Sequence, residues 1–217
     1  MNALASELMI KLYGRNIWTE YEQGVLLPDI QGWNGDHPSL SRLVTLNGPK
    51  IVVDVGVWKG LSTITLAKAM KDRSIDGVVI AVDTFLGSPE HWSSSRVLFE
   101  RRCGLPDLYE RFLTNVIASG VQDYIVPLPQ TSTTAASVLR RFGVRPSLVH
   151  VDAAHEYREV LNDIEDYWSL LEVGGYMIGD DYHETWPGII RAAGEFSAKT
   201  ERPLVIEAPK WILQKSK

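Results

Sequence analysis

The sequence lacks the features that would place it among membrane, secreted or nucleic-acid-binding proteins. Its only cysteine is Cys103, which excludes an intramolecular disulfide. No apolar run approaches the ~20 residues that span a bilayer, and the first residues lack a signal-peptide core. Lys and Arg number 22 against 27 Asp and Glu, for a net charge of -5, and they do not cluster. We therefore expect a cytoplasmic protein with neither a membrane nor a nucleic-acid partner.

Strand and helix patterns alternate along most of the chain. Hydrophobic residues make up 45% of the sequence and charged residues 23%, as is typical of globular proteins. Short β-branched runs predict strands, and apolar residues spaced by three or four predict helices. The predicted strands cover residues 50–56, 77–84, 124–128, 147–152 and 176–181, followed by a terminal pair at 203–208 and 211–215. The predicted helices cover residues 61–71, 107–120, 133–143, 155–175 and 187–198.

This alternation predicts an α/β fold with a Rossmann-like, doubly wound, mostly parallel sheet and an antiparallel strand at its C-terminal edge. We expect residues 49–217 to form this domain, and residues 1–48 to form a helical or irregular extension that serves as a lid. A second irregular stretch near residues 86–105 is another candidate for closing the site. Three tryptophans in loops are candidate walls for a ligand or, alternatively, caps of the core: Trp33, Trp92 and Trp186.

Ligands of a doubly wound sheet bind beyond the carboxyl ends of its strands. The first strand leads into DVGVWKG, residues 54–60, a glycine-containing turn that either admits a ligand or serves packing alone. Trp58 stands where a dinucleotide fingerprint requires glycine. Asp83 ends the second strand, where an acid can accept hydrogen bonds from ribose hydroxyls. Together these features favour an adenosine-bearing ligand without a diphosphate and suggest S-adenosylmethionine. The candidate cofactor-binding residues are Asp54, Gly56, Trp58, Gly60, Ser62, Asp83, Thr84, Gln130, Thr131, Ser132 and Asp152.

Carboxylates also follow the fourth and fifth strands, at Asp152 and at Asp180 with Asp181. Because adjacent strands lie ~4.8 Å apart, these side chains are expected to meet and to repel one another unless a cation compensates. Oxygen ligands suit Mg²⁺, with Mn²⁺ or Ca²⁺ as alternatives. His155 and His183 lie close by in sequence and can take a proton near neutral pH. Otherwise the aspartates cap helices and the histidines are exposed loop residues.

Four segments resemble class I S-adenosylmethionine-dependent methyltransferases of the group that includes the macrocin and novobiocin O-methyltransferases and the cephalosporin-hydroxylase-like proteins: VDVGVWKGLST, AVDTFLGSPE, HVDAAHEYREVLNDIEDYWSLLEVGGYMIGDDY and WPGIIRAAGEF. The resemblance spans about residues 30–196. It implies a methyltransferase fold, with the cofactor beside the first two strands. It also implies a divalent metal on Asp152, Asp180 and Asp181 that binds substrate hydroxyls.

The chain departs from the antibiotic-modifying members of this group at the catalytic base. Those proteins usually carry a second acid two residues after the first, whereas this chain has Ala154 followed by His155. We therefore interpret His155 as the base, with His183 as the second candidate.

The sequence thus predicts a metal-assisted O-methyltransferase that acts on a hydroxyl of a small molecule such as a sugar, a natural product or a phenol. Three alternatives remain open: a metal-independent methyltransferase, a nicotinamide-dependent oxidoreductase, which Trp58 disfavours, and a non-catalytic protein that binds an adenosyl ligand or a partner. A homo-oligomer is compatible with the sequence, which does not identify the acceptor.

Overall fold

The computed structural model describes residues 2–21 and 26–216, which contain nine β-strands and eight α-helices. The strands are β1 (Ile51–Val55), β2 (Val78–Asp83), β3 (Arg101–Arg102), β4 (Leu105–Pro106), β5 (Ile125–Pro129), β6 (Leu148–Val151), β7 (Tyr176–Gly179), β8 (Val205–Glu207) and β9 (Lys210–Gln214). The helices are α1 (Ala3–Tyr13), α2 (Pro38–Asn47), α3 (Leu61–Asp72), α4 (Pro89–Ser93), α5 (Leu108–Ala118), α6 (Ser132–Arg141), α7 (Tyr157–Leu170) and α8 (Pro187–Thr200).

The main sheet has seven strands in the order β5-β2-β1-β6-β7-β9-β8. The first five run parallel, whereas β9 is antiparallel to both β7 and β8. This confirms the predicted Rossmann-like fold with its antiparallel C-terminal edge. The chain moves outward from β1 to β5 and then returns to β6, so the strand order reverses between β1 and β6. That reversal is where such sheets bind ligands.

The strands carry nearly continuous apolar runs because helices cover both faces of the sheet. Val53 of β1 and Ile80 of β2 are fully buried. Of the surrounding helices, α7 buries Ile164 and Tyr167 on one stripe. It ends at Leu170, before the predicted end at residue 175, and the backbone of Leu171 is no longer helical.

The N-terminal extension contributes α1 and α2 to the same core. Met9 and Leu40 are fully buried, and α1 is bounded by Asn2, whose side chain accepts from Ala5 N–H, and by a left-handed Gly14. The boundary predicted between residues 48 and 49 stays a prediction, and residues 1, 22–25 and 217 lie outside the described residues. Within the described ranges, none of the helices combines the length and the apolar character needed to cross a membrane.

Strand β7 ends against the large side chain of Trp211 on β9. A Cβ atom built at Gly179 would lie 2.1 Å from the Trp211 indole, and that indole is almost completely buried. The end of β7 therefore requires glycine, since only glycine lets the neighbouring strand place an indole against its backbone.

We expect Gly179→Ala to lower the free energy of unfolding by roughly 3 kcal/mol, because the added methyl group overpacks the contact with Trp211. The matched control is Gly194→Ala in α8, where a Cβ meets nothing within 4 Å and should add about 0.5–1 kcal/mol of stability. Urea unfolding measures both. Equal midpoints for Gly179→Ala and the native chain would contradict the assigned packing.

Candidate active site

The carboxyl ends of β1, β2 and β6 meet at Gly56. This residue has φ 84, and a Cβ atom there would lie 2.0 Å from the carbonyl oxygen of Asp152. Its N–H donates to the carbonyl of Val82 over 2.8 Å. The loop after β1 therefore lies directly against the loop after β6.

A cavity of about 440 Å³ opens beyond these strand ends, within the size range of small-molecule sites. Nine predicted site residues line it: Gly56, Trp58, Asp83, Thr84, Gln130, Thr131, Ser132, Asp152 and His155. Six others lie outside its lining: Asp54, Gly60, Ser62, Asp180, Asp181 and His183.

Asp54 lies beneath the cavity, because its carboxylate bonds to buried side chains of the core. It accepts hydrogen bonds from Ser62 Oγ at 2.8 Å and Thr63 Oγ1 at 2.5 Å, and it bonds to His150 Nδ1 at 2.7 Å. Gly60 faces the ring of Phe112 instead. Asp54, Gly60 and Ser62, which we predicted to bind the cofactor, lie outside the cavity lining, and that role stays a prediction.

Asp83 lies at the end of β2, as predicted, and is held by the backbone around it. Its carboxylate accepts hydrogen bonds from the N–H groups of Trp58 at 2.9 Å and Phe85 at 2.7 Å. Burial raises the pKa of this carboxyl, although the backbone donors oppose the shift. The acid is thus fixed in orientation at the cavity wall.

Aromatic rings form the roof of the cavity. His91 stacks on Trp58, with ring centroids 3.9 Å apart, and lies 5.6 Å from Trp33, whose ring is in turn 5.9 Å from Trp58. Burial lowers the pKa of His91 and favours its neutral form. Of the predicted tryptophan walls, Trp33 lines the cavity, whereas Trp92 contacts Phe99 outside it.

The aspartates after β6 and β7 form two groups of possible metal ligands among the described residues. One contains His150, Asp152 and Asp180, and the other contains Asp152, His155 and Asp181, with ligand atoms within 4.8 Å of one another in each. The predicted set of Asp152, Asp180 and Asp181 is therefore divided, with Asp152 shared between the two groups.

In the first group, side chains of the protein already bond to Asp180 and to both ring nitrogens of His150. Lys210 Nζ donates to Asp180 Oδ2 at 2.6 Å and lies 3.1 Å from His150 Nε2. Since Asp54 engages Nδ1 of His150, both ring nitrogens of that histidine have partners. Sequence analysis missed His150 and Lys210, although a lysine beginning the apolar run KWIL was a usable signal.

In the second group, His155 Nε2 lies 3.1 Å from Asp181 Oδ2, and Nδ1 lies 3.7 Å from Glu90 Oε1. Hydrogen bonding to Asp181 raises the pKa of His155, and Trp186 stacks on its ring at 4.1 Å. By contrast, His183 is exposed and bonds to Thr185. The structure thus brings His155, and not His183, into the acidic group.

Asp152 is the least compensated carboxyl of the site. No hydrogen-bond donor reaches its carboxylate from the described residues. Its pKa is raised well above the usual range, first by burial and then by Asp180, while Lys210 opposes the shift. A carboxyl group beside two further carboxylates fits a hard divalent cation, which binds oxygen ligands and offsets their charge.

Comparisons with known proteins identify the family of this chain. The profile of a family described as a methyltransferase domain matches residues 53–182, which is more than half of the chain, and the chain belongs to this family of methyltransferases. No curated protein sequence matches the chain significantly.

Solved structures share the fold at low sequence identity. The O-methyltransferase TomG from Streptomyces achromogenes, in complex with SAM, aligns with a TM-score of 0.61 and 14% identity over 99% of this chain and 89% of its own. The Bacillus cereus O-methyltransferase in complex with SAH has a TM-score of 0.60 and 16% identity, over 98% and 90%. The calicheamicin methyltransferase CalS11 has a TM-score of 0.60 and 19% identity, over 82% and 77%.

A further acid that sequence analysis missed, Asp163 of α7, lines the cavity. Its side chain is nearly buried, with the residue 3% exposed. Burial raises the pKa of Asp163 to about 6, against a hydrogen bond from Ser132 that lowers it. The position follows Val160 by three residues and so lies on the buried stripe of the helix.

We expect Asp163 to make the protein less stable as pH rises from about 4 to about 7. The folded state binds a proton more tightly than the unfolded state does, so stability falls as pH rises through this window, by up to ~3 kcal/mol. Asp163→Asn should remove this dependence of the unfolding free energy on pH. Asp166→Asn, at a solvent-accessible position of α7, should leave most of it. Urea unfolding at several pH values measures the difference, and parallel curves for Asp163→Asn and the native chain would contradict the expectation.

Proposed function

We propose that this methyltransferase is an S-adenosylmethionine-dependent, divalent-metal-assisted O-methyltransferase that acts on a small-molecule hydroxyl. The observation that carries the proposal is the position of His155. It lies at the cavity wall, within a group of metal-ligand type formed with Asp152 and Asp181. The same cavity extends to Gly56 and Asp83, where a doubly wound sheet holds a nucleoside.

The residues that would hold S-adenosylmethionine lie around Gly56. Asp83 faces the cavity with a fixed carboxylate that can accept hydrogen bonds from ribose hydroxyls, and Gly56 leaves the backbone accessible. Gln130 and Ser132 also line the cavity and add polar groups there. When bound, this cofactor supplies a methyl group on a sulfonium. The SAM and SAH complexes of structural neighbours support this assignment.

Asp152, Asp180 and Asp181 would hold Mg²⁺, or Mn²⁺ or Ca²⁺ in its place. The strongest reason is geometric, because Asp152 offers a ligand atom within 4.8 Å of one from Asp180 in one group and of one from Asp181 in the other. Burial, and after it the charge of Asp180, raise the pKa of Asp152. When bound, a divalent ion lowers the pKa of a coordinated hydroxyl. A sugar, a natural product or a phenol with two adjacent hydroxyls could offer two oxygens to such an ion.

His155 is the proposed base. Asp181 and Glu90 raise its pKa, which makes the imidazole a better proton acceptor, and the Trp186 ring holds its plane. Within residues 1–48, the part around Trp33 is proposed to act as the lid, since Trp33 lines the cavity, while α1 and α2 pack in the core. Closure there would exclude water and hold the acceptor against His155.

One observation favours a metal-independent methyltransferase as the second candidate. His155 Nε2 lies 3.1 Å from Asp181. In many enzymes a carboxylate at this distance orients the imidazole that acts as the general base. In that case, catalysis would need His155 and Asp181 but no added ion.

Calorimetric titration tests the cofactor and the metal together. We expect S-adenosylmethionine to bind the native chain and Asp181→Asn alike, while Mg²⁺ binds Asp181→Asn at least ~10-fold more weakly because a ligand is lost. The control is Asp76→Asn, an exposed acid before the amino end of β2, whereas the site lies beyond the carboxyl ends of the strands. Failure of the native chain to bind S-adenosylmethionine would sink the proposal. Cofactor binding without any Mg²⁺ binding would leave the metal-independent enzyme.

Methyl transfer to a panel of vicinal diols distinguishes the two candidate bases. We expect His155→Gln to lower kcat by ~10²–10⁴-fold, the usual range for loss of a general base, with cofactor affinity unchanged. His183→Gln should keep nearly native activity, because its exposed side chain bonds to Thr185 of the same loop and does not line the cavity. The assignment fails if the effects of the two substitutions are reversed.

A further inference from the structure

A chain of buried ionisable groups crosses the sheet beneath the acidic site. It begins at Asp54 of β1, continues through His150 of β6, and ends with Lys210 of β9 and Asp180 after β7. The joining distances are 2.7, 3.1 and 2.6 Å. The side chains of Lys210 and Asp180 are 0% and 1% exposed. Lysine is almost never buried to this extent without a partner.

Lys210 is positioned to act on the metal site through Asp180. Its ammonium group is bonded to Oδ2 of Asp180, while Oδ1 accepts the N–H of Asp181 at 2.7 Å. The strand that carries it, β9, lies outside the matched methyltransferase segment, which ends at residue 182. The C-terminal hairpin thus delivers one fixed positive charge to the carboxylates between β6 and β7.

A fixed cation has two opposed effects on such a site. It stabilises the arrangement of the carboxylates in the absence of a metal, because it offsets part of their mutual repulsion. It also repels a second cation, and in a buried site this repulsion is weakly screened. The first effect favours a pre-formed site, and the second weakens the binding of the ion.

We propose that Lys210 is an internal counter-cation of the acidic site, which holds Asp180 in place and weakens the binding of a divalent metal there. The inference rests on the metal site of the proposed function. Lys210 is a positioning residue, since it acts through Asp180 and does not line the cavity.

The test is Mn²⁺ binding, measured by the electron paramagnetic resonance signal of the free ion, without cofactor or acceptor. The chains compared are the native protein, Lys210→Met and Lys199→Met. Lys199 is exposed in α8 and pairs with Glu165, so its variant makes the same change in net charge away from the site. We expect Lys210→Met to bind Mn²⁺ at least ~10-fold more tightly than the native chain, and Lys199→Met to match the native chain.

Removal of one partner from a buried ion pair can prevent folding, so thermal unfolding is followed with and without millimolar Mg²⁺. If Lys210→Met unfolds in the absence of ions, we expect Mg²⁺ to restore a cooperative transition, because the metal then replaces the missing charge. A variant that stays unfolded with Mg²⁺ overturns the proposal.

Two binding results would also overturn it, and they differ in meaning. If native and Lys210→Met chains bind Mn²⁺ equally, or the variant binds more weakly, Lys210 has only a structural role and the metal site stands. If the native chain and a folded Lys210→Met both fail to bind Mn²⁺, the metal site of the proposed function falls with the inference.

Discussion

The carboxylate of Asp54, buried in the central strand, is the constraint on which the geometry of the site depends. A buried charge without partners costs several kcal/mol, and here the first turn of α3 and the neighbouring strand supply them. Ser62 and Thr63 donate to one oxygen, and His150 bonds to the other. The start of α3 and the register of β6 are thereby fixed relative to β1. The loop that contains Gly56 spans these anchored points, which holds the cavity floor in position.

Two rings of the roof have a different origin, because Trp33 and His91 come from segments outside the sheet, whereas Trp58 belongs to the loop after β1. The N-terminal segment is fastened by Asp29, whose carboxylate pairs with Lys59 Nζ at 2.6 Å. Asn115 of α5 donates to the carbonyls of both Asp29 and Lys59 at 2.8 Å. Because Lys59 follows Trp58 directly, the loop that forms the floor also anchors the segment that carries Trp33. Floor and roof are therefore joined at one short stretch of sequence.

Local pattern was enough to predict the sheet and the positions of Asp83 and Asp152, because strand ends follow from apolar runs and from the rules of α/β topology. It could not predict which carboxylates face the cavity. Asp54 faces inward because of His150, 96 residues away along the chain, and Asp180 because of Lys210. The aromatic roof could not be predicted either, since the contact of His91 with Trp33 and Trp58 depends on the folded paths of two irregular segments. Sequence analysis missed the bonds between residues that lie far apart along the chain. The helices and strands could be predicted because local periodicity determines them.

Four ionisable groups of the cavity share one electrostatic tendency, whereas the hydrogen bond to Asp181 raises the pKa of His155 and favours its charged form. No Lys or Arg is among the described residues that line it. Burial raises the pKa of Asp83, Asp152 and Asp163 and lowers that of His91, so each group is shifted toward its neutral form. A cation that enters such a cavity restores the ionised carboxylates and displaces protons, and by linkage its affinity rises with pH. The same burial that disfavours charged side chains in the cavity thus favours a ligand that brings positive charge, whether a sulfonium or a divalent ion.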